Sequence, residues 1–177
     1  MRHRTKLLTS VIAAALLSAG ASVPVFSQEP AKAIARLTTS EGEPAGSVEF
    51  TDGPNGVLIE ALITGHAPGE HAIHLHETGK CSPDFSAAGG HIAPEGTVHG
   101  FLSQEEPHTG DLPNIFMDVE GAGTAHFFHR GISLGGEKAD LLDDDGTAVI
   151  VHEHADTYTA NADPGARVAC GVVEPYL

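Results

Sequence analysis

Six histidines and one aspartate in this chain fall into a pattern whose chemistry is metal binding. His74 and His76 stand two apart in His74-Leu75-His76, and His91 follows Gly89-Gly90. His99, His108 and Asp111 come at short, uneven intervals, and His152 lies between Val151 and Glu153. Neutral imidazole is a good ligand for late first-row metals. On a strand, residues two apart point to one face about 7 Å from each other, so His74 and His76 can converge on one ion. His91-x7-His99-x8-His108-x2-Asp111 supplies three imidazoles and one carboxylate. That is a closed, four-coordinate set of the kind a structural zinc requires. His152 ends an apolar run, where a buried imidazole without a partner is costly. Taken singly each of these histidines is unremarkable; together they imply two metals.

The elements that must position these residues begin after an N-terminal leader. Met1-Arg-His-Arg-Thr-Lys6 is basic, Leu7 to Leu17 is apolar apart from Thr9 and Ser10, and small residues follow. The apolar run is too short to span a bilayer, so residues 1–27 read as a cleaved signal peptide, with cleavage after Ser27 or near Ala19-Gly20-Ala21. No cysteine near either point suggests a lipoprotein. Residues 28–177 then form one domain, long enough for a single core. Loss of Arg2, Arg4 and Lys6 makes the formal net charge of −15 more negative by three. A surface this acidic is a poor partner for nucleic acid or anionic membrane. An anionic substrate would also be repelled at long range, so its site would need local positive charge. Two cysteines, Cys81 and Cys170, in an exported chain imply one disulfide.

Beyond Ala33 the chain reads as strands and turns. Ala33–Thr39, Gly46–Thr51 and His71–His76 alternate, Asp52-Gly-Pro-Asn-Gly56 is a turn signal, and Val57–Ile63 is apolar. Further strands are expected at Asn114–Val119, Thr124–Phe128, Gly131–Leu134, Thr147–Glu153 and Arg167–Val173. Short strands with Gly and Pro punctuation predict an antiparallel sandwich or barrel. Residues 78–113 break the rhythm. A loop of that length needs an external reason to be ordered, and this one carries four of the metal-binding candidates and Cys81. A second loop spans Ala155 to Ala166.

From about Ala33 to Val173 the chain resembles the copper–zinc superoxide dismutases exported by bacteria. The matching segments are His74-Leu-His-Glu77, Ala88-Gly-Gly-His-Ile-Ala-Pro94, Val98-His-Gly100, Pro107-His-Thr-Gly-Asp-Leu112, Val151-His-Glu-His-Ala-Asp156 and Ala166-Arg-Val-Ala-Cys-Gly-Val172. The resemblance implies an all-β, eight-stranded antiparallel Greek-key β-barrel (an immunoglobulin-like sandwich) with two long functional loops. It implies one copper and one zinc ion per subunit. His74, His76, His91 and His152 would hold copper; His91, His99, His108 and Asp111 would hold zinc, with His91 bridging the two. Asp156 matches a carboxylate that orients one histidine of each site, and Arg167 matches an arginine able to hold a small anion beside the copper. Cys81–Cys170 matches the family disulfide, which would tether the long loop. Superoxide would be the substrate, dismutated to oxygen and hydrogen peroxide, with His91 releasing copper on reduction, gaining a proton and passing it to the peroxide. The periplasm would be the compartment, with no membrane contact after signal cleavage and a homodimer as a possible assembly.

Some positions depart from the family. Ala72-Ile73 stands where Gly-Phe is frequent, and Ile92-Ala93-Pro94 where Phe-Asn-Pro is common; every ligand position is kept. The loop between Asp156 and Arg167 holds no lysine, which leaves Lys80 as the nearest cation for steering. His66, His71, His126, His129 and His154 are extra to the pattern. His66 and His71 read as surface or strand-end residues, His126 and His129 as sites of adventitious metal, and His154 as a rim residue. The rival functions are copper delivery or metal storage on the same scaffold, and a metal-stabilised interaction domain, because fold alone does not fix function.

Overall fold

The computed structural model describes residues 29–176, so the expected leader lies outside the described residues. The strands are β1 (Lys32–Thr38), β2 (Pro44–Gly53), β3 (Gly56–Thr64), β4 (Gly69–His71), β5 (Ile73–His76), β6 (Ile115–Met117), β7 (Ala122–His129), β8 (Ile132–Ser133), β9 (Ala139–Asp140), β10 (Ala148–His152) and β11 (Arg167–Pro175). The described residues contain no α-helix, only a single 3-10 turn at Phe85–Ala88 capped by Asp84.

The first three strands form a meander, as the turn signal at Asp52–Gly56 requires. Gly56 has φ 144°, and a Cβ there would lie 2.4 Å from the His129 carbonyl, so only glycine lets β3 start against β7. The Val57–Ile63 run is more differentiated than its composition indicates. Val57, Ile59, Ala61 and Ile63 point into the core, whereas Leu58 and Leu62 lie on the outer face beside Glu60. Period-two geometry, not hydrophobicity alone, decides which of these side chains are buried.

After β3 the chain crosses to the far edge of the sheet, forms β4 and β5, and returns through β6 to β7 beside β3. The main sheet has the order β5-β10-β11-β1-β2-β3-β7, antiparallel throughout. This crossing is a Greek-key connection. The sheet curls, and β4, separated from β5 only by Ala72, pairs with β6. The expected count of eight strands differs from the eleven separate runs. Eight is recovered by taking β4–β5 as one interrupted strand and setting aside the parallel two-residue pair β8–β9. No alternation marks β9 in the sequence, and it was not expected.

Inside the curl, Leu37, Val48, Phe50, Ile59, Ile63 and Met117 pack with Ile73 and Leu75 in one cluster. Burying a side chain of this size stabilises by about 1.5–3 kcal/mol. Ile73 and Leu75 are therefore what fixes the rotation of β5. Their burial turns His74 and His76 to the opposite face, toward the long loop.

Candidate metal centre

An edge strand exposes unpaired backbone groups that must be covered. Here residues 78–113 cover the free edge of β5. The Leu75 N–H donates to the Gly110 carbonyl (2.8 Å), the Ile92 N–H donates to the Leu75 carbonyl (3.0 Å), and the Gly110 N–H donates to the Ile92 carbonyl (2.8 Å). Bridges pair His74 with Asp111 and His76 with His91. Gly110 has to be glycine, since a Cβ would sit 2.1 Å from the Leu75 carbonyl. The same backbone contacts that order the loop thus bring its side chains to the strand histidines. His152 comes from the next strand, where a register shift at Val151/His152 sets it opposite Arg167 on β11.

Two four-residue groups result, each with its ligand atoms within 4.8 Å of one another. His74, His76, His91 and His152 form the first, and His91, His99, His108 and Asp111 form the second. His91 belongs to both. All seven residues singled out by spacing are brought together.

The fit of these groups to metal is visible in their unpaired atoms. His74 Nδ1, His76 Nε2, His152 Nε2 and His108 Nδ1 are buried with no hydrogen-bond partner. The other nitrogen of each of the first three rings is engaged: His74 Nε2 with Asp156 Oδ2 (2.9 Å), His76 Nδ1 with the Gly89 carbonyl (3.1 Å), and His152 Nδ1 with the Gly165 carbonyl (3.4 Å). One nitrogen oriented from behind and the other free is the arrangement a metal-binding imidazole needs. In the second group Asp111 Oδ1 lies 2.8 Å from His91 Nδ1, 2.9 Å from His99 Nδ1 and 3.8 Å from His108 Nδ1. Its Oδ2 accepts from the Gly100 N–H (2.8 Å).

The electrostatics favour neutral rings and ionised carboxylates, the forms that bind cations. Burial pushes the His76 ring down to about 2 and His152 to about 4, and it lowers His74 and His108 as well. Burial alone would raise the Asp111 carboxyl. Its bonds with His91 and the Gly100 N–H, together with the nearby His99, outweigh that and lower it. Asp156 falls to about 2, because His74 and the Tyr158 N–H overcome the effect of its burial.

Asp156 touches both groups. Its Oδ2 is 2.9 Å from His74 Nε2 and also 2.9 Å from His99 Nε2, the second as an ionic contact. Arg167 lines a cavity of about 270 Å³ together with His76, His91, His152 and Pro164. Its Nη1 donates to the Phe85 carbonyl (2.6 Å) and its Nη2 to the Gly89 carbonyl (2.7 Å). The Gly89 carbonyl therefore orients Arg167 and His76 at once. Cys81 and Cys170 are bonded, with Cα atoms 5.8 Å apart, and Cys170 packs with Ala88 and Phe85.

Of the extra histidines, His71 is not at the surface. It is buried, with Nδ1 facing the His152 carbonyl and Nε2 the Ala67 carbonyl, both at 2.8 Å. His126 and His154 are exposed, each 3.8 Å from a glutamate. Lys80 is exposed and does not line the cavity. Sequence reasoning passed over Asn114, which donates from Nδ2 to the Asp156 carbonyl (3.0 Å) and accepts the Asp156 N–H at Oδ1 (2.9 Å). It also passed over Tyr158. An asparagine after a proline and a loop tyrosine carry no metal-site signal of their own.

The family model described as copper/zinc superoxide dismutase matches residues 44–173. A copper–zinc superoxide dismutase of Caulobacter vibrioides is 42% identical over 148 residues, covering 80% of this chain and 85% of the relative. One from Aquifex aeolicus is 40% identical over 173 residues, covering 95% and 99%. Among solved structures, a superoxide dismutase-like protein from Bacillus subtilis superposes with a TM-score of 0.73 at 35% identity, covering 78% of this chain and 96% of that one. Fold, histidine groups and these matches agree, and the chain belongs to the copper/zinc superoxide dismutase family.

Proposed function

We propose that the protein dismutates superoxide to oxygen and hydrogen peroxide at a copper held by His74, His76, His91 and His152. His91, His99, His108 and Asp111 would hold a zinc that shapes the site, and His91 is common to both groups. The observation that carries this reading is the pairing of unpartnered nitrogens on His74, His76 and His152 with a second, carboxylate-containing group sharing His91. Copper supplies one-electron redox chemistry, whereas zinc has none and supplies charge and rigidity.

The chain's own residues do the rest. Arg167 presents its guanidinium to the cavity, held by the Phe85 and Gly89 carbonyls, and attracts a small anion. His91 has Nδ1 against Asp111. Its Nε2 is the nitrogen left to hold and hand on one of the two protons that hydrogen peroxide requires, the other coming from solvent. Asp156 and the Gly89 and Gly165 carbonyls keep His74, His76 and His152 in the tautomers that leave one nitrogen free. The disulfide and the bacterial relatives are consistent with an exported protein. We place it in the periplasm, with residues 1–27 removed.

The test is superoxide dismutation by the mature protein loaded with copper and zinc, with metal content measured on the same sample. A rate near the diffusional ceiling of about 10⁹ M⁻¹s⁻¹ that falls on replacement of Arg167 is the expected result. Tight uptake of both metals with negligible turnover would replace this reading with copper delivery or metal storage.

A further inference from the structure

Tyr158 lies between the two buried carboxylates of the site, in a backbone conformation a bulky residue rarely adopts. Its φ is 60°, the single positive value among the described non-glycine residues. Each of its polar groups is used. The Tyr158 N–H donates to Asp156 Oδ1 (2.6 Å), the Tyr158 carbonyl accepts the Leu102 N–H (2.8 Å), and the phenol oxygen accepts the Asn114 N–H (2.8 Å). Its ring packs on Phe101 with centroids 5.6 Å apart.

Two consequences follow. First, Asn114, whose backbone the phenol holds, grips the Asp156 backbone through both ends of its side-chain amide. Tyr158, Asn114 and Asp156 thus form a closed ring of hydrogen bonds around the carboxylate that contacts His74 and His99. Second, Gly100 lies directly against the Tyr158 backbone; a Cβ at position 100 would be 2.4 Å from the Tyr158 carbonyl oxygen. Gly100 is also the residue whose N–H bonds Asp111 Oδ2. One tyrosine therefore fixes the second loop against the first, with Asp156 on one side and the support of Asp111 on the other. Strained conformations persist where the surroundings over-determine them, and they gather at functional sites.

We infer that Tyr158 is a positioning residue for both metal groups, its phenol holding Asn114 and, through Asn114, the Asp156 carboxylate that contacts His74 and His99. This rests on the metal assignment proposed above. A merely structural tyrosine would affect stability without changing metal properties, whereas a positioning one changes both metals in a protein that still folds.

The experiment uses Tyr158→Phe, which keeps the ring and the backbone contacts and removes only the acceptor of the Asn114 N–H. Asp156→Asn serves as the direct comparison. Zinc affinity is measured by chelator competition, the copper environment by the Cu(II) electron paramagnetic resonance spectrum, and folding by thermal melting of the metal-free protein. Loss of a partner that orients a metal ligand lowers affinity by about 10- to 100-fold. Tyr158→Phe, one step further out, is expected to lower zinc affinity by about 10-fold and to alter the Cu(II) spectrum, with Asp156→Asn larger in both. Zinc affinity within two-fold of the parent and an unchanged spectrum, while Asp156→Asn shows its loss, would overturn the role of Tyr158 alone. A lowered melting temperature with both metal readouts unchanged would overturn it too. If Asp156→Asn also left both metals undisturbed, the assignment of Asp156 beneath the proposal would fall with it.

Discussion

Replacing Arg167 by alanine separates substrate attraction from metal binding. Arg167 lines the cavity but is not among the residues grouped around either metal position, so copper and zinc should bind in the variant as in the parent. An anion in contact with a guanidinium, about 4 Å between charges, gains about 1 kcal/mol in bulk water and about 4 kcal/mol at an effective dielectric of 20. Arg167 is half-buried at the mouth of an open site, which puts its value near the middle, about 2 kcal/mol. Its removal should lower kcat/KM about 30-fold. Lysine keeps the charge but cannot reproduce the two-pronged contact with the Phe85 and Gly89 carbonyls, so Arg167→Lys should fall between alanine and the parent. The assay is the rate of superoxide decay by pulse radiolysis or stopped flow, at matched copper and zinc content and at low and high salt. The alanine variant should lose salt sensitivity along with rate. A rate within two-fold of the parent at equal copper content would refute the argument that this guanidinium draws in the substrate.

His91→Ala removes the one residue common to both groups, so zinc affinity by chelator competition and the Cu(II) spectrum should both change. A variant disturbed at one metal alone would contradict the shared position. Reducing the Cys81–Cys170 bond, or changing both cysteines to serine, should destabilise the protein by about 2–5 kcal/mol in denaturant melts, since the bond closes a long loop. A loss confined to below 1 kcal/mol would mean the loop is held by its hydrogen bonds instead. In the metal-free protein burial keeps the His152 ring near 4, against its ordinary 6.5. Below pH 6.5 the unfolded chain therefore takes up a proton that the folded chain refuses until about pH 4. The sign follows directly: stability is complete above pH 6.5 and falls as the pH drops toward 4, by about 3 kcal/mol from this ring. Melting temperatures across pH 4–8 with chelator present check this; a flat profile would refute it.

The ligand set was legible because each member is a side chain of distinctive chemistry at a telling interval. A strand pair His74-x-His76, a loop series from His91 to Asp111 and a strand-end His152 can be counted without coordinates. The sheet was legible from alternation, and the expected strands match β1, β2, β3, β7, β10 and β11 closely. Less legible was burial, which depends on the neighbouring strand. Leu58 and Leu62 of the apolar run face outward, and His71, at the end of β4, is buried against the Ala67 and His152 carbonyls.

What the sequence by itself determined was which atoms could bind metal and the periodicity that aims them. Only the tertiary structure decided how they are held. That residues 78–113 cover the edge of β5, that one Gly89 carbonyl serves both His76 and Arg167, and that Tyr158 joins Asp156 to Gly100 are matters of backbone groups meeting across long stretches of chain. Every residue carries the same N–H and C=O, so such partners leave no mark in residue type, and only the path of the folded chain selects them.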